Sequence, residues 1–193
     1  MILAFHLVWT AYGWWLPNDP RGAWSKEVWA PTLQDFGTID KRGRKAIQPA
    51  LMQMQRWLKT AQQGLKHKPV LLDNKAREIV RNAIQSIARL HHYEVLALAV
   101  MPEHAHIVVK QHAHRYERIV AGFKAVSSRE LRKYLSLAAG FSRRERRGLK
   151  PAAKLIPIWS RGYWVRYLDT EGAVSSAVAY VKRQNSNKAR GCS

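Results

Sequence analysis

Residues 93–110 constrain the fold most, because they hold two strand patterns separated by a very short break. Residues 93–101 are almost entirely apolar, which is typical of a strand buried on both faces. Pro102 and Glu103 interrupt this run, and residues 104–110 then alternate between two sides. We therefore predict that the two strands pair as an antiparallel hairpin.

Helical and strand patterns surround this hairpin. Apolar residues recur every three or four positions over 49–64 and 74–90, and Asp73 is a suitable N-cap for the second helix. Other helices are predicted at 116–135 and 171–185, and strands at 3–10 and at 156–168 with an interruption near Gly162. The order strand, helix, strand, strand, helix, strand, helix favours the α+β class, with a ferredoxin-like (RRM-like) antiparallel sheet and packed helices.

The 193 residues favour one domain. We expect it to cover residues 1–185, with a loop-rich insertion at about 19–70, and to be followed by a basic tail at 186–193. The sequence shows no glycine-rich phosphate loop, which argues against the nucleotide-binding α/β folds.

Charge indicates the partner. The chain has 33 Lys and Arg residues against 13 Asp and Glu, a formal net charge of +20, and such an excess suits the phosphates of nucleic acid. A solvated basic surface and weak membrane adhesion are the alternatives. The basic residues are spread along the chain, and the longest apolar run, residues 95–101, is too short to cross a bilayer. The only cysteine, Cys192, cannot form a disulfide within the chain, which fits a reducing cytosol. We therefore expect a soluble cytoplasmic protein without membrane contact, and a monomer or homodimer.

His104 and His106 are the first candidates for chemistry. Side chains alternate along a strand, so both imidazoles share one face, close enough to bind a single metal ion. Such triplets also arise by chance in a chain with eight histidines. The competing pairs are His91 with His92, and His112 with His114. Only the first pair lies within an apolar strand, where polar side chains need a reason.

Tyr180 and Gln184 are four residues apart on the last predicted helix, and therefore lie on one face. The Gln184 carbonyl could be a third ligand for a hard cation such as Mg²⁺ or Mn²⁺. Tyr180 could be a nucleophile, since tyrosine forms covalent intermediates. The alternative is a boundary residue with its hydroxyl in water, and Tyr163 and Tyr167 are rival candidates.

Four stretches together resemble the HUH single-tyrosine transposases of insertion sequences, and more closely their domesticated relatives, the REP-associated tyrosine transposases. They are residues 10–17 (TAYGWWLP), 100–109 (VMPEHAHIVV), 158–164 (IWSRGYW) and 179–185 (AYVKRQN). The resemblance covers about two-thirds of the chain. It departs at Glu103, where the family usually has Asn, and at Ser186, where Pro is frequent after Asn. Glu103 is expected to point away from the histidine face, so it is not taken as a ligand.

The resemblance implies an HUH endonuclease architecture in which His104, His106 and Gln184 hold a divalent metal, Mg²⁺ or Mn²⁺. Tyr180 would attack a phosphodiester of single-stranded DNA, leaving a 5′-phosphotyrosine and a free 3′ hydroxyl that permit rejoining without ATP. The family further implies recognition of hairpin-flanked, REP-like sites.

Further residues are predicted to contact DNA, because aromatic faces beside basic side chains suit single strands and clustered arginines suit backbone phosphates. They are Arg143, Arg144, Arg146, Arg147, Trp159, Arg161, Tyr163, Arg166, Lys182 and Arg183. Core packing is the alternative for the aromatic members. For the whole chain, the alternatives are a non-catalytic nucleic-acid-binding module and a metal-dependent hydrolase that uses water.

Overall fold

The computed structural model describes residues 1–16, 50–138 and 157–186. Four strands and four helices lie in these ranges. The strands are β1 (Ala4–Thr10), β2 (Val95–Val100), β3 (His104–Lys110) and β4 (Trp164–Leu168). The helices are α1 (Leu51–Gln63), α2 (Asn74–Leu90), α3 (Tyr116–Ala138) and α4 (Glu171–Ser186).

The four strands form one antiparallel sheet with the order β2-β3-β1-β4. β2 and β3 pair as the predicted hairpin, and β1 enters between β3 and β4, with Val8 opposite His106 and His6 opposite Val108. This order, with helices between β1 and β2 and between β3 and β4, is the ferredoxin-like arrangement. The predicted α+β class is therefore confirmed.

Side-chain alternation gives the sheet two different faces. Phe5, Leu7 and Trp9 of β1 point into the main core, where α2 and α3 pack. Large side chains that are fully buried there, such as Ile107 and Phe123, each contribute about 1.5–3 kcal/mol through the loss of apolar surface from water. This face supplies most of the fold's stability.

The opposite face carries a smaller cluster under α4. Ala4, Val108 and Leu168 of the sheet pack against Val181, which is fully buried on this helix. Val174 and Val178 are half-buried and pack against the same cluster, as the helical spacing predicts. The cluster seats α4 across the face on which His104 and His106 also lie.

Local signals explain where two helices sit. The carboxylate of Asp73 accepts a hydrogen bond from the backbone N–H of Ala76, so the predicted N-cap of α2 is confirmed, a contact worth about 1 kcal/mol.

The side-chain amide of Gln62 in α1 donates to the carbonyl of Gly13. Gly13 has φ of +86°, and a Cβ there would lie 2.9 Å from the Cβ of Pro69, so this turn requires glycine.

The strand predicted over 156–168 is interrupted near Gly162 as expected, but its described part before the interruption is not a regular strand. Trp159 forms a single bridge with Ala11, and the continuous strand begins at Trp164. The amine of Lys124 on α3 accounts for the break, because it donates to the carbonyls of Ser160, Arg161 and Gly162 at 2.6, 3.0 and 3.2 Å. Carbonyls turned toward one amine cannot all face a neighbouring strand.

Several predictions fall outside the described residues. They are most of the insertion at about 19–70, the basic loop with Arg143, Arg144, Arg146 and Arg147, and nearly all of the tail at 186–193. The described end of the insertion contains α1. None of the helices in the described ranges combines the length and apolarity that crossing a bilayer requires.

Candidate active site

His104 and His106 lie on one face of β3, as their spacing predicts. Their ring centroids are 4.7 Å apart with nearly perpendicular planes. His106 is deeper, with 7% of its surface exposed, whereas His104 at the start of the strand is half-buried. Since β3 is paired on both sides, a rigid backbone holds the two rings in this arrangement.

Tyr180 of α4 contacts the histidine face directly. Its ring centroid lies 5.5 Å from that of His106, edge to face, and 6.0 Å from that of His6. The adjacent Val181 is fully buried and fixes the rotation of the helix, while Tyr180 keeps 41% of its surface exposed. The phenol is therefore held beside the imidazoles and remains accessible to a large substrate.

Gln184 follows Tyr180 by one helical turn and is half-buried. Its neighbour Asn185 donates a side-chain hydrogen bond of 2.9 Å to the carbonyl of Leu98 on β2. This bond ties the C-terminal end of α4 to the sheet. Within the described ranges, no three histidine, cysteine, aspartate or glutamate side chains converge as a metal site would require.

His6 of β1 is a third histidine at this site, and the sequence analysis missed it. Its Nε2 lies 3.2 Å from Nδ1 of His106, and the two rings stack with centroids 5.3 Å apart. Trp164 of β4 packs edge-on against His6 at 5.4 Å. A signal existed in the sequence, because His6 interrupts the apolar strand between Phe5 and Leu7 just as His106 interrupts β3.

Glu103 corrects another expectation. It was predicted to point away from the histidine face, but its Oε1 lies 3.3 Å from Nδ1 of His104. Glu103 precedes β3, where strict alternation does not yet apply, and its long side chain bends back to the ring. The Nδ1 atoms of both His104 and His106 thus have a partner within the protein.

Burial keeps the inner histidines neutral. Desolvation lowers the pKa of His6 to about 4, with a smaller contribution from the charge of Arg166. Desolvation also lowers the pKa of His106 to about 3, assisted by the neighbouring His104 and His6. Neutral imidazoles keep a lone pair at pH 7, and metal coordination requires that lone pair.

The family comparison fits this geometry. The family of IS200-like transposases matches residues 64–184, which include β3, most of α4, the His104–His106 pair and the Tyr180–Gln184 pair. The chain belongs to the IS200-like transposase family. Because the match covers more than half of the 193 residues, it extends over most of the fold as well as the site.

Two solved structures are similar to the chain at low sequence identity. One is a protein from Deinococcus radiodurans assigned as a transposase, with 14% identity, a TM-score of 0.44 and coverage of 96% of this chain and 92% of the other. The second is a REP-associated tyrosine transposase bound to a REP hairpin, with 12% identity, a TM-score of 0.43 and coverage of 96% and 68%. No curated protein matches the chain significantly.

The rival tyrosines of this IS200-like transposase lie on the other side of the sheet. Tyr167 contacts Phe5 and donates its hydroxyl to that of Tyr116 at 3.0 Å. Tyr163 packs against the main core and also contacts Tyr116. Both belong to the face covered by α2 and α3, whereas Tyr180 contacts the histidines.

The rival histidines form a separate group. His112 and His114 contact Tyr93, whose hydroxyl lies 2.8 Å from Nδ1 of His114. His91 packs against the same tyrosine. These residues lie at and beyond the far end of β3 and at the end of α2, so they are separate from His104 and His106.

The predicted DNA-contacting residues divide by position. Trp159 is buried, its indole N–H donates to Ser127 at 2.9 Å, and its ring packs against Trp9, which favours the core-packing alternative. Tyr163 is half-buried against the main core, and Arg161 is exposed in the turn before β4. Arg166 is exposed on β4, and Lys182 and Arg183 are exposed on α4.

Proposed function

We propose that this transposase cleaves and rejoins single-stranded DNA through a covalent bond between Tyr180 and the 5′ phosphate at the break. The contact between the rings of Tyr180 and His106 carries the proposal. The two residues are 74 positions apart in the chain, and the contact brings an accessible phenol beside a neutral imidazole. A phenol that served packing alone would not need two imidazoles beside it.

His104, His106 and Gln184 are the proposed ligands of a divalent metal, Mg²⁺ or Mn²⁺. The residues fit such an ion, because each imidazole already has a partner at Nδ1 and can present Nε2. The amide oxygen of Gln184 is a neutral ligand that suits a hard cation. A bound ion would polarise a non-bridging phosphate oxygen and stabilise the charge that develops on the leaving oxygen.

The covalent step exchanges one phosphate ester for another. The phenol oxygen of Tyr180 bonds to phosphorus and gives up its proton to solvent, while the bond from phosphorus to the 3′ oxygen breaks. The 3′ oxygen takes up a proton and becomes a free hydroxyl. The phosphotyrosine keeps the free energy of the original ester, so the attack of another 3′ hydroxyl reverses the step and rejoins DNA.

Basic and aromatic side chains near the site support a single strand as the substrate. Arg166 and Trp164 share the sheet face of the histidines, and Trp164 packs directly against His6. Lys182 and Arg183 follow Tyr180 on α4. Stacking beside positive charge is the usual way in which proteins bind single strands. Recognition of hairpin-flanked, REP-like sites is part of the same proposal.

The test uses single-stranded oligonucleotides that carry different labels at the 5′ and 3′ ends and tile both strands of the DNA flanking the gene, incubated with Mn²⁺. The 5′ label reports the released fragment, and the 3′ label stays on the fragment joined to Tyr180. We expect cleavage and a protein–DNA adduct that survives denaturation. Tyr180→Phe should bind the same oligonucleotides with unchanged affinity and lose both products by at least about 10³-fold, because the nucleophile is gone.

Tyr167→Phe is the matched control, since it removes an exposed hydroxyl from the opposite sheet face. It should cleave as the unaltered protein does. Cleavage without an adduct would indicate a hydrolase that uses water, and binding without cleavage of any tile would indicate a non-catalytic binding module. Either result would overturn the proposal.

A further inference from the structure

The hydrogen bond between His6 and His106 has a direction, and this direction determines which nitrogen of His106 is free. A neutral imidazole has one N–H and one lone pair. If Nδ1 of His106 donates to His6, its Nε2 keeps the lone pair. If His6 donates, the proton of His106 moves to Nε2 and blocks that atom. The 3.2 Å contact is therefore a choice between two tautomers.

We propose that His6 is a positioning residue that accepts a hydrogen bond from Nδ1 of His106 and so leaves Nε2 of His106 free for the metal. The inference rests on the proposed metal site, and it gives a role to a residue that is not one of the proposed ligands. Neutral histidine in water carries its proton mainly on Nε2, the form that cannot coordinate there. An acceptor held at Nδ1 opposes this preference, and the accepting atom is Nε2 of His6, so the proposal places the proton of His6 itself on its Nδ1.

The surroundings of His6 suit an acceptor that must not move. It lies on β1, a central strand that pairs with both β3 and β4 over residues 4–8. Only 6% of its surface is exposed, and Trp164 and Tyr180 pack against its ring. Water is therefore a poor competitor for Nδ1 of His106, and rotation of His6 away from the bond is blocked.

The other histidine of β3 has a similar arrangement. Nδ1 of His104 lies 3.3 Å from the carboxylate of Glu103, the kind of partner that orients metal-binding imidazoles in other proteins. The inner histidine cannot have a carboxylate partner at low cost, because its surroundings are desolvated. A neutral imidazole at His6 provides the acceptor without burying a charge.

Two substitutions separate hydrogen bonding from packing. His6→Gln keeps a side-chain oxygen that can accept from Nδ1 of His106, whereas His6→Leu fills similar buried volume with no acceptor. The probe is Mn²⁺ alone, titrated into metal-free full-length protein and followed by the paramagnetic resonance of free Mn²⁺. We expect His6→Leu to weaken binding about 10- to 100-fold. His6→Gln should recover most of the loss.

The second readout is the nitrogen NMR spectrum of the histidine side chains in the metal-free protein, which reports the tautomer without any metal. We expect the proton of His106 on Nδ1 in the unaltered protein and in His6→Gln. His91→Leu, at the end of α2, is the control and should leave both the Mn²⁺ affinity and the His106 tautomer unchanged.

The inference is overturned if His106 carries its proton on Nε2 in the unaltered protein, a result that requires no variant to fold. It is also overturned if folded His6→Leu binds Mn²⁺ as tightly as the unaltered protein, or if His6→Gln is as weak as His6→Leu. These results can coexist with a Tyr180–DNA adduct, so they leave the proposed function standing. If the unaltered protein binds no Mn²⁺, the proposed metal site and this inference fail together.

Discussion

At the scale of residues, alternation within strands predicted more of the site than any other rule. It placed His104 and His106 on one face because β3 is regular over its whole length. The same rule would have placed His6 on the face opposite Phe5 and Leu7. His6 was missed because it is a single histidine in its strand, whereas His104 and His106 form a pair. The predicted orientation of Glu103 was wrong, because the alternation rule was applied to a residue that precedes the strand.

The buried histidines predict how stability depends on pH. Their folded pKa values of about 4 for His6 and 3 for His106 lie below the unfolded value of about 6.5. Between these values the unfolded chain binds protons that the folded chain does not. The free energy of unfolding of the metal-free protein should therefore fall as pH decreases from 6.5 toward 4, by about 1.4 kcal/mol per pH unit for each histidine.

Urea denaturation at pH 7 and pH 5, with a chelator present, measures this loss. His6→Gln should reduce the loss, because one of the two titrations is removed. His92→Gln, which alters an exposed histidine after α2, should not. An equal loss in all three proteins would contradict the assignment of the pH dependence to the site.

At the scale of elements, the hairpin was predicted accurately. The interruption near Gly162 was also predicted, but not that the residues before it would form only a single bridge. The hairpin could be predicted because its signals are local: an apolar run, a two-residue interruption and an alternating segment all lie within residues 93–110. The break before β4 depends on Lys124, which is 36 residues from Ser160 along the chain. The position of Tyr180 could be predicted only in part. Helical spacing placed it on the same helix face as Gln184, but the packing of Val181 against the sheet is what brings its ring to His106.

Lys124 should contribute to stability through the turn that it holds. Burial lowers its pKa to about 8, so the amine is still mostly protonated at neutral pH and donates to three carbonyls. Lys124→Met should lower the free energy of unfolding by about 1–3 kcal/mol, because these carbonyls lose their donor. Lys133→Met, which removes an exposed ion pair with Glu130 from the same helix, should cost less than about 1 kcal/mol. Equal losses in urea denaturation would contradict this role.

At the scale of the whole molecule, a net charge of +20 predicted a polyanionic partner, and membership of a transposase family agrees with it. Composition could not predict where DNA binds, because Lys and Arg residues occur on all four described helices and on two of the strands, β3 and β4. The structure separates the exposed Arg166 of β4, on the histidine face, from the exposed Arg89 of α2, on the opposite side of the sheet. This difference makes the DNA path testable.

The salt dependence of binding should locate that path. Each phosphate contact to a single strand contributes about 0.7 to the slope of log affinity against log salt. Arg166→Gln should reduce the magnitude of the slope by about this amount for a single-stranded oligonucleotide, whereas Arg89→Gln should leave it unchanged. Fluorescence anisotropy over a series of salt concentrations measures both slopes. Equal reductions would indicate diffuse binding and contradict a path across the histidine face.

The central claim is that Tyr180 becomes covalently attached to DNA. The direct measurement is peptide mass spectrometry of the protein after incubation with Mn²⁺ and the flanking single-stranded oligonucleotides, followed by nuclease and protease digestion. We predict a nucleotide phosphate on the peptide of α4 that contains Tyr180. A modification on another tyrosine, or cleaved DNA with Tyr180 unmodified throughout the reaction, would contradict it.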